Sequence, residues 1–299
     1  MSRYEIIDTF PTFERYWSRA RHLPAAQQIE SWGSDYLRPW LELRRKQIAS
    51  CGRDGVDWRR IARTRIFPAL DDRLPRMQEV RSNLLRAIPV AVRRCRDKLG
   101  LDFSVTFVIH VGIGCGAGWA TTYRRRPAVL FGVENAAEVG WTDRSTVVAL
   151  VEHEIAHLIH DHWRRQARVG GLEGHRGAWW QLYEEGFATR CEFLLGETGA
   201  HHSTNRTKDW LEWCHKNRPR LASLFLKTAA SRRGPRRFFG SWYDIDGYIE
   251  TGYFLGSEVI RLAESRASLR EIACWSPDQV RSCVRASLRR MATERSASS

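Results

Sequence analysis

The chain has no apolar run approaching the ~18 residues of a membrane-spanning helix, and no segment of it repeats. Its first residues, MSRYEIIDTF, lack the basic stretch followed by a long apolar one that marks a secretory signal. Seven cysteines (51, 95, 115, 191, 214, 274 and 283) are odd in number, widely spaced and without a C-x-x-C pair. That pattern argues against both a disulfide framework and a cysteine-type zinc site. Acidic residues are in the minority, 34 Asp and Glu against 48 Lys and Arg, for a formal charge of +14. Together these shortages lead to the expectation of a cytoplasmic protein with reduced cysteines and no membrane partner. The cationic excess suits an acidic partner such as nucleic acid, but no recognition motif accompanies it, and arginines scattered along helices also suit a solvated surface.

What is present is an ordinary globular composition, 43% hydrophobic over 299 residues, enough for one large domain or two smaller ones. Residues 1 to 102 read as helical, with Trp and Leu at i, i+3, i+4 spacing in IESWGSDYLRPWLELRRKQI and RMQEVRSNLLRAIPVAVRRCRDKLG. Pro24, Pro39, Gly52, Gly55, Pro68 and Pro75 punctuate them. The period then changes to two in VTFVIHVGIG, which predicts a half-buried strand. A glycine-rich turn, GCGAGWATTYRRRP, leads to a second strand, AVLFGVE, residues 128 to 134.

Helical spacing returns in TDRSTVVALVEHEIAHLIHDHW, which Thr142 or Asp143 can cap and whose apolar face is Val147, Val148, Val151, Ile155 and Ile159. Further helices are expected in AWWQLYEEGFATRCEFLLG, GYFLGSEVIRLAESRA and SPDQVRSCVRASLRRMA. The domain expectation is therefore a helical region over 1–102, an α+β domain over 103–292, and a disordered tail over 293–299. Within the middle part, residues 103–200 would hold the sheet and the helix bearing H-E-x-x-H, and 201–292 a helical C-terminal portion.

His153, Glu154 and His157 stand in the order H-E-x-x-H. Residues i and i+4 share a helix face, so both imidazoles can point at one ion while Glu154 reaches a water bound to it. Such a water, with its pKa brought toward ~7, attacks a carbonyl, and the glutamate carries its proton to the leaving amine. Two imidazoles do not hold a catalytic zinc, so a third ligand is needed. The candidates are His160, His162, His175, Glu184 and Glu185. His160 projects from the same helix and cannot close a tetrahedron around an ion between the first two rings; His162 is no better placed. A metzincin is excluded, because His160 stands where its glycine belongs and Trp163 where its last histidine belongs.

In WWQLYEEGFA, together with the H-E-x-x-H helix, the chain resembles the gluzincin metallopeptidases, above all the zinc aminopeptidases, whose pattern continues through a W-W-containing stretch to E-G-F-A. The resemblance implies a zincin-like α+β fold, a small mixed sheet over the metal helix, and one zinc per chain held by His153, His157 and Glu185, with Glu154 as general base and Glu184 as the lesser candidate. YFLGSEVIRL is similar to the family's Y-x-K-G segment, which implies Tyr253 as the oxyanion stabiliser, with Tyr248 in reserve. FGVEN is similar to G-x-M-E-N, which implies Glu134 as a substrate-binding residue at an edge strand, with substrate adding to residues 128 to 135. The activity implied is peptide-bond hydrolysis on a peptide or protein substrate. Two departures stand out: 27 residues separate His157 from Glu185, more than is usual, and there is no room for the β-domain that precedes the catalytic part in the aminopeptidases. In these respects the chain is similar to short bacterial proteins classed as predicted zinc-dependent proteases.

Two rivals remain. SprT-like and Spartan-type proteases also place a strand before an H-E-x-x-H helix and take a third histidine from downstream. HRGAW makes His175 that candidate, and the positive charge suits action on DNA-bound proteins. The other rival is a non-catalytic basic binding or regulatory protein.

Overall fold

A computed structural model describes residues 4–53, 55, 57–172, 177–196, 209–229, 231, 234–240 and 242–294. It is a mixture of helices with a small mixed sheet, an α+β protein. Among the described residues no helix is long and apolar enough to cross a membrane. The chain divides into two compact units, residues 1–151 and 152–299.

The first unit is built on four strands, β1 (Tyr4–Asp8), β2 (Val105–His110), β3 (Gly118–Tyr123) and β4 (Arg126–Gly132), in the order β1-β2-β4-β3. Around them the chain forms α1 (Phe10–Ala20), α2 (Ala25–Ser31), α3 (Leu41–Arg53), α4 (Trp58–Ile61), α5 (Leu70–Leu99) and α6 (Val133–Val139), and α7 (Arg144–Gln166) begins here. The first hundred residues are therefore not all helical. β1 pairs in parallel with β2, Tyr4 opposite Val105 through Asp8 opposite Ile109. A five-residue strand whose partner lies a hundred residues away leaves little periodic trace in sequence, and its pairing takes this segment into the sheet. The compact division accordingly falls at 151/152, inside α7, and not at 102.

Three further expectations change. All six residues of β2 are buried, so the strand is covered on both faces, as parallel strands usually are, despite its alternating pattern. β4 is interior, paired in parallel with β2 and antiparallel with β3; the edge strand on that side is β3, WATTY and its neighbours, which lay inside the expected turn. Residues 128 to 132 thus have both backbone edges occupied and cannot take up an added substrate strand. The β3–β4 hairpin closes through Arg124 and Arg125, both at positive φ (49° and 63°), the backbone a two-residue type I′ turn demands. Pro75, expected to break a helix, lies within the 30-residue α5, as does Pro89.

The ends of the parallel strands are tied by hydroxyls. Thr9 donates to the Ile109 carbonyl (2.9 Å), the Tyr36 phenol donates to Thr9 (2.6 Å), and the Val111 N–H donates to Tyr36 (3.0 Å). Asp143 caps α7, as expected, by accepting from the Thr146 N–H at 3.0 Å.

The second unit continues α7 and adds α8 (Ala178–Leu195), α9 (Trp210–Lys216), α10 (Arg218–Ala229), a two-stranded ribbon of β5 (Asp244–Ile245) and β6 (Tyr248–Ile249), α11 (Thr251–Ala263), α12 (Leu269–Ala273) and α13 (Pro277–Thr293). Its centre is the packing of α8 on α11. Gly186 and Gly256 meet there: a methyl group at Gly186 would overlap the Gly256 carbonyl, and one at Gly256 would overlap the Leu182 carbonyl oxygen. The glycines of E-G-F-A and Y-F-L-G thus set how closely the helices carrying Glu185 and Tyr253 approach. Gly186→Ala should cost about 2–3 kcal/mol by overpacking backbone against backbone, read from urea unfolding, whereas helix propensity alone would make it mildly stabilising. α13 ends at Thr293, and Glu294 still receives an ion pair from Arg218 (2.6 Å). Thr293 and Glu294, placed in the expected tail, are thus held in the fold, and 295–299 lie outside the described residues.

Candidate metal centre

Glu152 to Gln166 of α7 and all of α8 and α11 belong to the second unit, and they carry the site. His153 and His157 stand one turn apart on α7, so their Nε2 atoms face each other at 3.1 Å. From α8, Glu185 brings Oε2 to 3.3 Å of His153 Nε2 and 3.4 Å of His157 Nε2. Among the described residues these three form the group able to hold a metal ion, their donor atoms all within 4.8 Å of one another.

The fit is testable from the spacing. Four ligands tetrahedrally disposed at 2.0–2.1 Å from zinc lie about 3.3–3.4 Å apart, and the three observed separations are 3.1, 3.3 and 3.4 Å. Two imidazole nitrogens and one carboxylate oxygen are also a donor set suited to zinc, and three protein ligands leave the fourth position open. Glu184 is not in the group, because consecutive residues on a helix diverge by about 100°. Burial pushes its carboxyl up to about 7.

Charge points the same way. Burial disfavours a cationic His153, yet the carboxylates of Glu185 and Glu192 on either side of its ring outweigh that and lift its pKa to about 10. Burial also opposes ionisation of Glu185, while His157 and His153 hold its carboxyl well below the usual range. The cluster is built around a positive charge, which a divalent cation can supply with release of a proton.

Glu192 was not singled out by sequence. It is fully buried on α8, and its Oε2 lies 3.3 Å from His153 Nδ1. A carboxylate on the far nitrogen fixes the tautomer that leaves Nε2 free to bind a metal. The signal was available in E-G-F-A-T-R-C-E: seven residues, two helical turns, bring Glu192 to the face of Glu185. Glu192→Gln should weaken zinc binding by about 10- to 100-fold with the fold intact, measured by competition with a chromophoric chelator; unchanged affinity would remove the orienting role.

Glu154 is 7% exposed, and its carboxylate is close enough to His157 and Tyr253 to bias the ionisation of both. The Tyr253 ring, on α11, lies 5.6 Å from that of His153. Burial, and after it the carboxylates of Glu185, Glu250, Glu154 and Glu192, push its phenol well above the ordinary value, so it remains a hydrogen-bond donor. Tyr248 is occupied elsewhere: its hydroxyl donates to Asp209 (2.7 Å) and its ring stacks on Trp213. Glu250 is buried and held at φ 58° just before α11, and its backbone carbonyl accepts from the Tyr253 N–H at 3.0 Å. A strained, buried acid beside the site was not legible from sequence.

His160 is fully buried and neither solvated nor a ligand. Its Nε2 bonds the Tyr183 phenol (3.0 Å), which donates to the Ile272 carbonyl (2.6 Å). One turn on, the buried Arg164 donates to the carbonyls of Ala273 and Trp275 at 2.9 and 2.8 Å and lies over the Trp180 ring. The W-W pair has packing roles: buried Trp180 covers Arg164, and half-buried Trp179 packs against Phe225. His175 lies outside the described residues.

Glu134 belongs to the first unit. Expected as a substrate-binding residue at an edge strand, it is instead fully buried in the first turn of α6, held by the N–H groups of Gly112 and Gly114. Burial raises its carboxyl to about 7 from an ordinary 4.5, against the pull of those N–H groups. The folded protein thus binds this proton more tightly than the unfolded chain. The stabilisation is complete below about pH 4.5 and is lost as pH rises to about 7, for a change of roughly 3 kcal/mol. Unfolding measured in urea should show this decline between pH 5 and 8, and Glu134→Gln should flatten it. An equal decline in both proteins would assign it elsewhere.

No protein-family model, curated protein or solved structure matches the chain. Any functional reading therefore rests on the site itself.

Proposed function

We propose that this protein is a zinc-dependent peptide hydrolase of the gluzincin kind, with a zincin-like fold, acting in the cytoplasm. The observation that carries the reading is the convergence of His153, His157 and Glu185 at the spacing of a zinc coordination shell. A zinc ion held there would polarise a peptide carbonyl and acidify a water. Glu154, next to His153 on the same helix, would serve as general base toward a water in the site and then as general acid toward the departing amine nitrogen, so that one carboxylate would assist both attack and leaving-group protonation. The Tyr253 phenol, held protonated, donates a hydrogen bond to the oxygen on which negative charge develops; such a donor contributes roughly 3 kcal/mol to the transition state. Glu192 holds the His153 ring in place.

The test joins metal content to activity. Protein purified without chelators should carry about one zinc per chain and should cleave an unfolded protein substrate, with both properties lost on chelation and restored by zinc. Less than about half an equivalent of zinc in such material would sink the reading and favour a basic binding protein.

A further inference from the structure

We propose that Cys51 and Cys115 form an intramolecular disulfide when the protein meets a hydroperoxide. Their sulfurs lie 3.7 Å apart, in contact but unbonded, although 64 positions separate them in sequence. Cys51 is 6% exposed near the end of α3, and Cys115 is half-buried in the loop between β2 and β3. A disulfide needs the sulfurs at about 2.05 Å, so they must close by roughly 1.7 Å from the 3.7 Å observed.

The loop can supply that movement. Cys115 stands between Gly114 and Gly116, at φ of 83° and 107°, where the absence of a Cβ leaves the backbone its widest range. The thiol donates a weak bond to the Gln47 carbonyl at 3.3 Å. Gln47 and Cys51 are one turn apart on α3, so the same helix presents both the acceptor of this thiol and its partner sulfur.

Exposure sets the order of events. The Cys115 thiol loses its proton to solvent, and its sulfur attacks the peroxide: an S–O bond forms, the O–O bond breaks, and water or an alcohol leaves. The Cys51 thiolate then attacks the sulfur of the resulting sulfenic acid; the S–S bond forms, the S–O bond breaks, and water leaves. Two thiols give up two electrons and two protons to one peroxide. The bond ties α3 to the glycine loop whose Gly112 and Gly114 N–H groups hold the buried Glu134.

The experiment treats the full chain with hydrogen peroxide, digests it without reduction and maps the products by mass spectrometry. A peptide pair joined through Cys51 and Cys115, lighter by two hydrogens and split by reductant, is expected in the unsubstituted chain. Cys51→Ser should leave Cys115 as a sulfenic acid trapped by a dione reagent, and Cys115→Ser should give neither product. The oxidised wild type should melt about 5 °C or more above its reduced form, because the link closes a long loop in the unfolded chain. Linkage through any other cysteine, sulfenic acid at Cys115 in the wild type at the Cys51→Ser yield, or no oxidation of either sulfur would each overturn the proposal. The wild-type peptide map stands even if a serine variant fails to fold.

Discussion

Glu154→Gln should leave about one zinc per chain and slow peptide hydrolysis by roughly 10³-fold, about 4 kcal/mol of transition-state stabilisation. Glutamine keeps the volume and the position of this nearly buried side chain on α7 but cannot accept and return a proton at neutral pH. The pairing of readouts matters: zinc measured by elemental analysis must persist while turnover collapses. If turnover is unchanged, Glu154 is not the base; if zinc is lost with it, the substitution has disturbed the neighbouring His153 and says nothing specific about proton transfer. Tyr253→Phe, which keeps the ring against His153, separates the oxyanion donor from the packing role in the same assay.

Glu185→Ala should lower zinc affinity by more than the ~100-fold upper range for an orienting residue such as Glu192, because it removes one of three donor atoms outright. It also removes a carboxylate that makes the site attractive to positive charge, while Glu192 stays beside His153. His175→Ala should retain the metal. Dialysis against a moderate chelator followed by zinc analysis compares the two directly. Loss of zinc in His175→Ala with retention in Glu185→Ala would transfer the third-ligand role to His175 and move the protein toward the SprT-like, DNA-associated reading that its +14 charge accommodates.

The H-E-x-x-H helix was legible because two periodicities coincide in it, an apolar stripe that makes the helix and a polar pair at i, i+4 that makes the site. E-G-F-A was singled out as a resemblance, and Glu185 within it converges with His153 and His157 in a group able to hold a metal ion. Glu192 was missed although its spacing announced it, because a buried carboxylate two turns along a helix looks no different in sequence from a solvated one. His160 was rightly set aside as a ligand, but its own role was not legible. Histidine at the end of H-E-x-x-H-L-I-H suggests water or metal, and only the burial of Tyr183 and the Ile272 carbonyl around it shows a structural bond.

Local chemistry was enough to determine the principal helices, the Asp143 cap of α7 and the histidine pair that shares a face of that helix, because propensity, period and i, i+4 geometry act over a few residues. Tertiary structure decided everything that depends on distant partners. It put Tyr4–Asp8 into the sheet beside β2, made β4 an interior strand, and closed that strand to substrate addition. It also buried Glu134, and it brought Gly186 against Gly256 so that Glu185 and Tyr253 sit on two closely packed helices. Strand pairing, desolvation and helix contact are set by residues far apart in the chain, and no window of sequence contains both partners.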